Sequence, residues 1–313
     1  MGFILAFLAL ILHIGLCLVG APLLWGVAAK LRARLLGRRG PSLYQPYRDL
    51  GRLLGKAALV PDTATDMFTF WPLVAFLALA VTVMLIPGFC TGMLTQGASD
   101  YVTVIGLFAL GRAAMMLGGL ETGRSSGGIG VARMALSGLY TEAVLLVLCL
   151  IFAVLGRSTD LNALALGFRS VHGGVFLSMG FALAAMLMVV VTGMEHSAAR
   201  YQEPGMVQEA MTLDYSGRPL AMLDYTVMLH RLAWMNLIIC IFVPFGMARA
   251  ASLLSWPGGL LVWGGKLICL VVGLVFFEVA WVAPPLSQAS RCLGIALFLG
   301  LLASLLLVVA VRA

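Results

Sequence analysis

Charge is what this chain has least of. Only 11% of its 313 residues are Asp, Glu, Lys or Arg, while 62% are hydrophobic and the mean hydropathy is +1.05. So apolar a composition excludes an ordinary soluble domain and points to a polytopic membrane protein. The six cysteines (Cys17, Cys90, Cys149, Cys240, Cys269 and Cys292) form no C-x-x-C pair, so no iron–sulfur or zinc framework is visible and they read as small apolar side chains. The run Ser125-Ser126-Gly127-Gly128-Ile129-Gly130 is glycine-rich but lacks the lysine and the strand context of a phosphate loop; it is expected to be a flexible turn. There is no Ser/His/Asp arrangement with a supporting context. No internal repeat is visible either, which argues against an inverted-repeat secondary transporter.

What remains divides into apolar spans of about 20 residues, the length that crosses the hydrocarbon of a bilayer. Eight are expected, over about 2–29, 69–87, 101–119, 137–155, 174–194, 226–247, 257–283 and 292–311. The expected fold is an all-α polytopic membrane protein with a single transmembrane domain over 1–313. The first span has no positive segment before its apolar run and no small-residue cleavage pattern after it, so it reads as a retained helix. Three long connections, about 30–68, 120–136 and 195–225, hold most of the charge.

The net charge of +7 is not a nucleic-acid footprint, because its basic residues lie mainly in one loop: Lys30, Arg32, Arg34, Arg38, Arg39, Arg48, Arg52 and Lys56. The positive-inside rule makes that loop cytoplasmic. Arg124, Arg133, Arg200, Arg218 and Arg291 fall on the same side, against Arg157, Arg169, Arg249 and Arg312 on the other. Both termini are therefore expected outside, and the elaborated inner face is where a partner or substrate is expected. Within the first loop Leu50, Leu53 and Leu54 recur at helical spacing opposite basic residues, so a short amphipathic helix is expected at the membrane surface. It serves either as an anchor in anionic lipid or as a docking surface for a soluble partner.

The few charges that fall within or beside the spans carry the most information: Arg112, Glu121, Glu142, Glu195, Lys266 and Glu278. An ionisable group at mid-bilayer costs roughly 2.5–3.5 kcal/mol on insertion scales, and such groups ordinarily face protein or water and serve ion or proton movement. Arg112 and Glu121 stand nine residues apart, about 13.5 Å along a helix and on opposite faces. Lys266 and Glu278 stand twelve apart, about 18 Å. Neither couple is a direct pair within a regular helix, although a bend at Gly118-Gly119 would change this for the first, so each group is expected to find a partner on another helix. Glu142, in Tyr140-Thr141-Glu142, is either an interfacial carboxylate at a helix N-terminus or a proton carrier within the membrane. Ser137 or Thr141 would cap that helix as well. Glu195, Glu203, Glu209, Asp214 and Asp224 form an acidic run that is either a solvated loop or a funnel for cations. His13 is expected to be packed and His230-Arg231 to be interfacial. Tyr140, Tyr215 and Tyr225 are expected in the aromatic belts.

Several of these motifs resemble one family. Gly40-Pro41-Ser42-Leu43-Tyr44-Gln45-Pro46-Tyr47-Arg48-Asp49 followed by Lys56, Arg112-Ala113-Ala114 followed by Glu121, Glu195 with Arg200 and Glu209, Asp214-Tyr215-Ser216-Gly217, and Lys266 are similar, in order and spacing, to segments of the respiratory-chain NADH dehydrogenase subunit 1 family. The departures are as informative. Glu195-His196-Ser197-Ala198-Ala199-Arg200-Tyr201-Gln202 stands where complex I members carry a Glu-x-x-x-Arg-x-Pro-Phe-Asp segment. Glu278 and then Pro284-Pro285-Leu286-Ser287-Gln288 stand where those members end the seventh span in an arginine-rich stretch. These changes resemble the hydrogenase branch: the membrane subunits of formate hydrogenlyase and of group 4 membrane-bound [NiFe] hydrogenases.

The resemblance implies a membrane anchor, itself non-catalytic, that couples electron transfer in a soluble arm to proton or sodium movement across the cell inner membrane. It implies docking through Gln45, Asp49, Arg52, Lys56 and Arg200, and ion handling by Glu121, Glu142, Glu195, Glu203, Glu209, Asp214, Arg112, Lys266 and Glu278. No cofactor is expected in this chain; the nickel–iron centre and iron–sulfur clusters are expected in partner subunits. The expected partners are the hydrogenase large and small subunits, other soluble-arm chains, an antiporter-like membrane subunit and membrane lipid, with no nucleic acid. The rival readings are a quinone-site subunit of a complex I-type enzyme, with a cavity between the first, sixth and seventh spans, and a stand-alone transporter.

Overall fold

The computed structural model describes residues 2–156, 158–170 and 211–280, with 294, 295, 298, 299, 301 and 302. Among the described residues eight α-helices follow in order: α1 (Gly2–Leu35), α2 (Gln45–Leu54), α3 (Phe70–Leu85), α4 (Tyr101–Leu120), α5 (Ser125–Gly156), α6 (Leu161–Ser170), α7 (Gly217–Phe242) and α8 (Trp256–Ala280). Six of the helical stretches are long and apolar enough to cross a membrane: Phe3–Leu35, Met67–Leu85, Tyr101–Leu120, Ser125–Ala153, Gly217–Phe242 and Leu253–Ala280. The chain is an all-α, multi-pass membrane protein. The span expected over 174–194 lies outside the described residues, as does most of the one expected over 292–311.

One helix organises the bundle. α7 is buried on every side from Arg231 to Ile241, the pattern of a helix surrounded by others. α3 packs between α4 and α7, α4 continues against α5, and α1 packs on α7 and α8. Trp234, Tyr101, Phe108 and Phe152 are fully buried in the core. α1 instead turns Phe3, Ile4, Phe7, Leu8, Ile11 and Val19 outward, an apolar face suited to lipid.

The two ends of the bundle are built differently. At one end two short strands, β1 (Cys90–Thr91) and β2 (Ala248–Arg249), pair in parallel, and Asp100 bridges Asp160. At the other lie the basic loop, α2, the α4–α5 turn and the start of α7. They are joined by Leu59 N–H to Ser216 Oγ (2.8 Å), Thr63 Oγ1 to the Thr122 carbonyl (3.2 Å) and Arg218 Nε to the Leu54 carbonyl (3.4 Å). This second end is the one that charge bias assigns to the cytoplasm.

Helix boundaries differ from the sequence-based expectation in three places. α1 continues to Leu35, so Arg32 and Arg34 are helical. α5 begins at Ser125, so the glycine-rich run is helix and not a turn. Its 32 residues span about 48 Å, more than the hydrocarbon core of about 30 Å. α7 begins at Gly217, with Pro219 in its first turn, where a missing N–H costs nothing.

Candidate functional site

The boundary of α5 decides the reading of Glu142. It stands 17 residues into the helix, not at its N-terminus, so a capping role is ruled out. Ser137 and Thr141 do not cap either. Their hydroxyls donate back to the carbonyls of Met134 (3.0 Å) and Ser137 (2.9 Å). Glu142 faces Arg112 of α4, with Nε to Oε1 at 3.7 Å. Arg112 is buried, its side chain 3% exposed, whereas the Glu142 side chain keeps 31% of its surface open. Gly138, one turn before Glu142, makes this possible: a Cβ there would stand 2.5 Å from Arg112 Nη1 and 2.6 Å from its Cδ. The missing side chain is the groove in which the guanidinium lies.

Glu121, as its distance from Arg112 required, finds another neighbour, the Thr65 hydroxyl at the inner end of the bundle. Beside it Asp214 accepts from the Thr122 hydroxyl (2.8 Å) and pairs with Arg124 Nη1 (2.6 Å). Tyr215 stacks on Phe68 with ring centroids 4.1 Å apart and donates to the Gly118 carbonyl at 3.0 Å. Burial pushes its phenol up, and negative charge on Glu121 and Asp214 adds to this, so it remains a neutral donor. Tyr215 is thus an interior residue and not a belt residue. So is Tyr225, whose hydroxyl donates to the Leu18 carbonyl at 2.6 Å.

Glu278 is the most deeply sealed acid of the described set. Its side chain is 1% exposed and lies between Arg231 of α7, at 3.1 Å, and Arg32 of α1. Arg231 also lies over the Trp25 ring at 5.7 Å. Sequence reasoning missed both arginines. Charge bias places Arg32 in the cytoplasmic loop and sequence position places Arg231 at the interface, but α1 runs on to Leu35 and α7 starts at Gly217, which puts both within helices. A basic residue deep in an apolar segment was the available signal. His230 is mid-helix too, accepting from Trp234 Nε1 at 3.0 Å. Lys266 sits elsewhere: its ammonium donates to the carbonyls of Val243 (2.6 Å) and Phe245, where α7 ends, a position that favours a cation. His13 is packed as expected, with Nε2 against the carbonyls of Val83 (3.2 Å) and Ile86 (3.1 Å).

Three of the docking candidates, Gln45, Asp49 and Arg52, share one short helix, and Lys56 follows it. In α2, Gln45 donates to Asp49 (3.0 Å) and Asp49 pairs with Arg52. Pro46 is buried and Leu50 packs on the core, so α2 is held by α1 and α7. Arg48, Arg52, Leu54 and Lys56 remain exposed. Glu195, Arg200, Glu203 and Glu209 lie outside the described residues.

Comparison with known proteins fits this arrangement. Residues 7–310 match the family described as NADH dehydrogenase. The chain belongs to the NADH dehydrogenase family. Within it, the chain is 30% identical over 236 residues to hydrogenase-4 component C of Escherichia coli (strain K12), covering 74% of each chain. It is 27% identical over 258 residues to formate hydrogenlyase subunit 4 of the same organism, covering 82% of this chain and 80% of that one. Both belong to the hydrogenase branch that the sequence resembles. A chain of the membrane-bound sulfane sulfur reductase, an archaeal respiratory membrane complex, superposes with a TM-score of 0.81 at 20% identity. The match covers 96% of this chain and 99% of that one, which establishes a shared family fold.

Proposed function

We propose that this chain is the membrane anchor and coupling subunit of a membrane-bound [NiFe] hydrogenase or formate hydrogenlyase-type complex, linking electron transfer in a soluble arm to proton or sodium movement. The observation that carries this reading is the buried Arg112 paired across two helices with a partly open Glu142, in a chain related to hydrogenase and formate hydrogenlyase components. A carboxylate with a third of its surface open and a sealed cation behind it is able to exchange a proton or cation while its counter-charge stays fixed. Glu121 and Asp214 supply acidic groups at the inner mouth, with Glu195, Glu203 and Glu209 in the same role. The exposed side of α2 receives the arm, whose chains hold the nickel–iron centre and the clusters. The complex resides in the cell inner membrane with both chain termini outside.

A quinone-site role is less well supported. The quinone-site reading needs a cavity between the first, sixth and seventh spans, where α1, α7 and α8 hold the Arg32–Glu278–Arg231 cluster. The test is Glu142→Gln in the intact complex. Ion movement per electron is expected to fall while the subunits still co-purify; wild-type ion movement in an assembled variant overturns the reading. The lone chain, reconstituted in vesicles, is expected to show no coupled transport.

A further inference from the structure

α1 carries a proline at its middle, and two tyrosines from other elements attend to what it disrupts. Pro22 has no N–H, so the Leu18 carbonyl loses its helical donor. Tyr225 of α7 supplies one instead, at 2.6 Å. Tyr47 of α2 donates to the next carbonyl, Val19. The Tyr47 hydroxyl therefore sits on the α1 backbone one residue on from the carbonyl that the proline frees. A proline within a helix is a cause of bending.

The two sides of this joint are fastened to different neighbours. On the outer side His13 binds carbonyls at the end of α3, and Asn236 of α7 reaches Cys17 at 3.7 Å. On the inner side the segment after α1 folds back along it. A Cβ on Gly26 would collide with the Leu43 carbonyl, and one on Gly40 would stand 2.9 Å from Lys30 Cα and 3.1 Å from Ala33 Cβ. α2 begins two residues after Leu43. The inner third of α1 thus packs with α2, which also rests on α7, while the outer part of α1 is bonded to α3 and α7. Arg32 lies ten residues beyond the proline, about 15 Å along the axis, so a 10° change of bend moves it by about 2.5 Å.

We infer that Tyr47 and Tyr225 are positioning residues that set the bend of α1 at Pro22 and so hold Arg32 on Glu278. Displacement of α2 by the soluble arm opens that pair and leaves Glu278 with Arg231. A buried carboxylate that loses one guanidinium needs a new counter-charge, which ties the docking surface to a charge deep in the bundle. This rests on the coupling function proposed above.

The test uses the assembled complex with Cys269→Ser and spin labels on Leu36→Cys and Phe276→Cys, positions that are exposed at the inner ends of α1 and α8. Removing the soluble arm is expected to shift the label distance by about 2 Å, the scale of helix shifts at subunit interfaces. Tyr47→Phe is expected to produce that shift with the arm in place and to lower ions moved per electron at least twofold, with electron transfer retained. Should that variant fail to assemble, Tyr225→Phe carries the same expectations. A distance that responds neither to the arm nor to the variant overturns the joint. A shifted distance with an unchanged ion ratio overturns the positioning role. A wild-type complex that moves no ions overturns the coupling function instead, and the label distances still judge the joint.

Discussion

The two buried arginine–glutamate centres differ in which partner is sealed. At Arg112–Glu142 only the cation is buried; the carboxylate is 31% exposed and the contact is loose at 3.7 Å. At Arg32–Glu278–Arg231 the carboxylate is sealed, with one guanidinium on each side. Breaking a buried pair costs far more than breaking a half-open one, because the remaining charge has no water. The first centre therefore suits exchange with an outside ion. The second suits holding three helices in register until something moves one of them.

That contrast is open to direct attack. Glu278→Ala leaves two arginines facing each other in the interior and is expected to cost about 3–5 kcal/mol. Loss of the folded chain from membranes, or a sharp fall in thermal stability of the purified complex, would register it. Lys266→Met removes the cation from the carbonyls that end α7 and is expected to cost about 1.5–3 kcal/mol, read in the same melt. Gly138→Leu fills the groove of Arg112 and is expected to cost about 1–3 kcal/mol by overpacking. It should also abolish ion movement, since the guanidinium is driven from Glu142. Glu142→Gln sits at the small end: less than about 1 kcal/mol in stability, with the loss confined to ion movement. Should Glu142→Gln prove as destabilising as Glu278→Ala, the distinction between the two centres would collapse.

Much of this was legible in the sequence because lipid leaves few choices. Runs of about 20 apolar residues give helices, and an intramembrane charge demands a partner. The spacing of Arg112 from Glu121 was enough to forbid their pairing within a regular helix. It was not enough to name Glu142, because contacts between helices depend on crossing geometry that no local pattern records. Gly138 as the seat of Arg112 was invisible for the same reason. The run from Ser125 to Gly130 looked like a turn because glycine disfavours helix. In place, Gly127 packs directly on the Gly119 carbonyl, and that close approach overrides propensity. The tyrosines were misjudged because belt positions and proline-freed carbonyls attract the same amphipathic side chain.

The short ladder at the far rim has a consequence of its own. Cys90 and Thr91 register with Ala248 and Arg249 through main-chain bonds, and Ser99 ties back to the Leu85 carbonyl at 2.6 Å. The strand pairing depends on no side chain, so it tolerates most substitutions, whereas the Ser99 bond needs its hydroxyl. Here the stitched rim is the one away from the basic loop, so separating the α3–α4 and α7–α8 connections there requires breaking main-chain bonds.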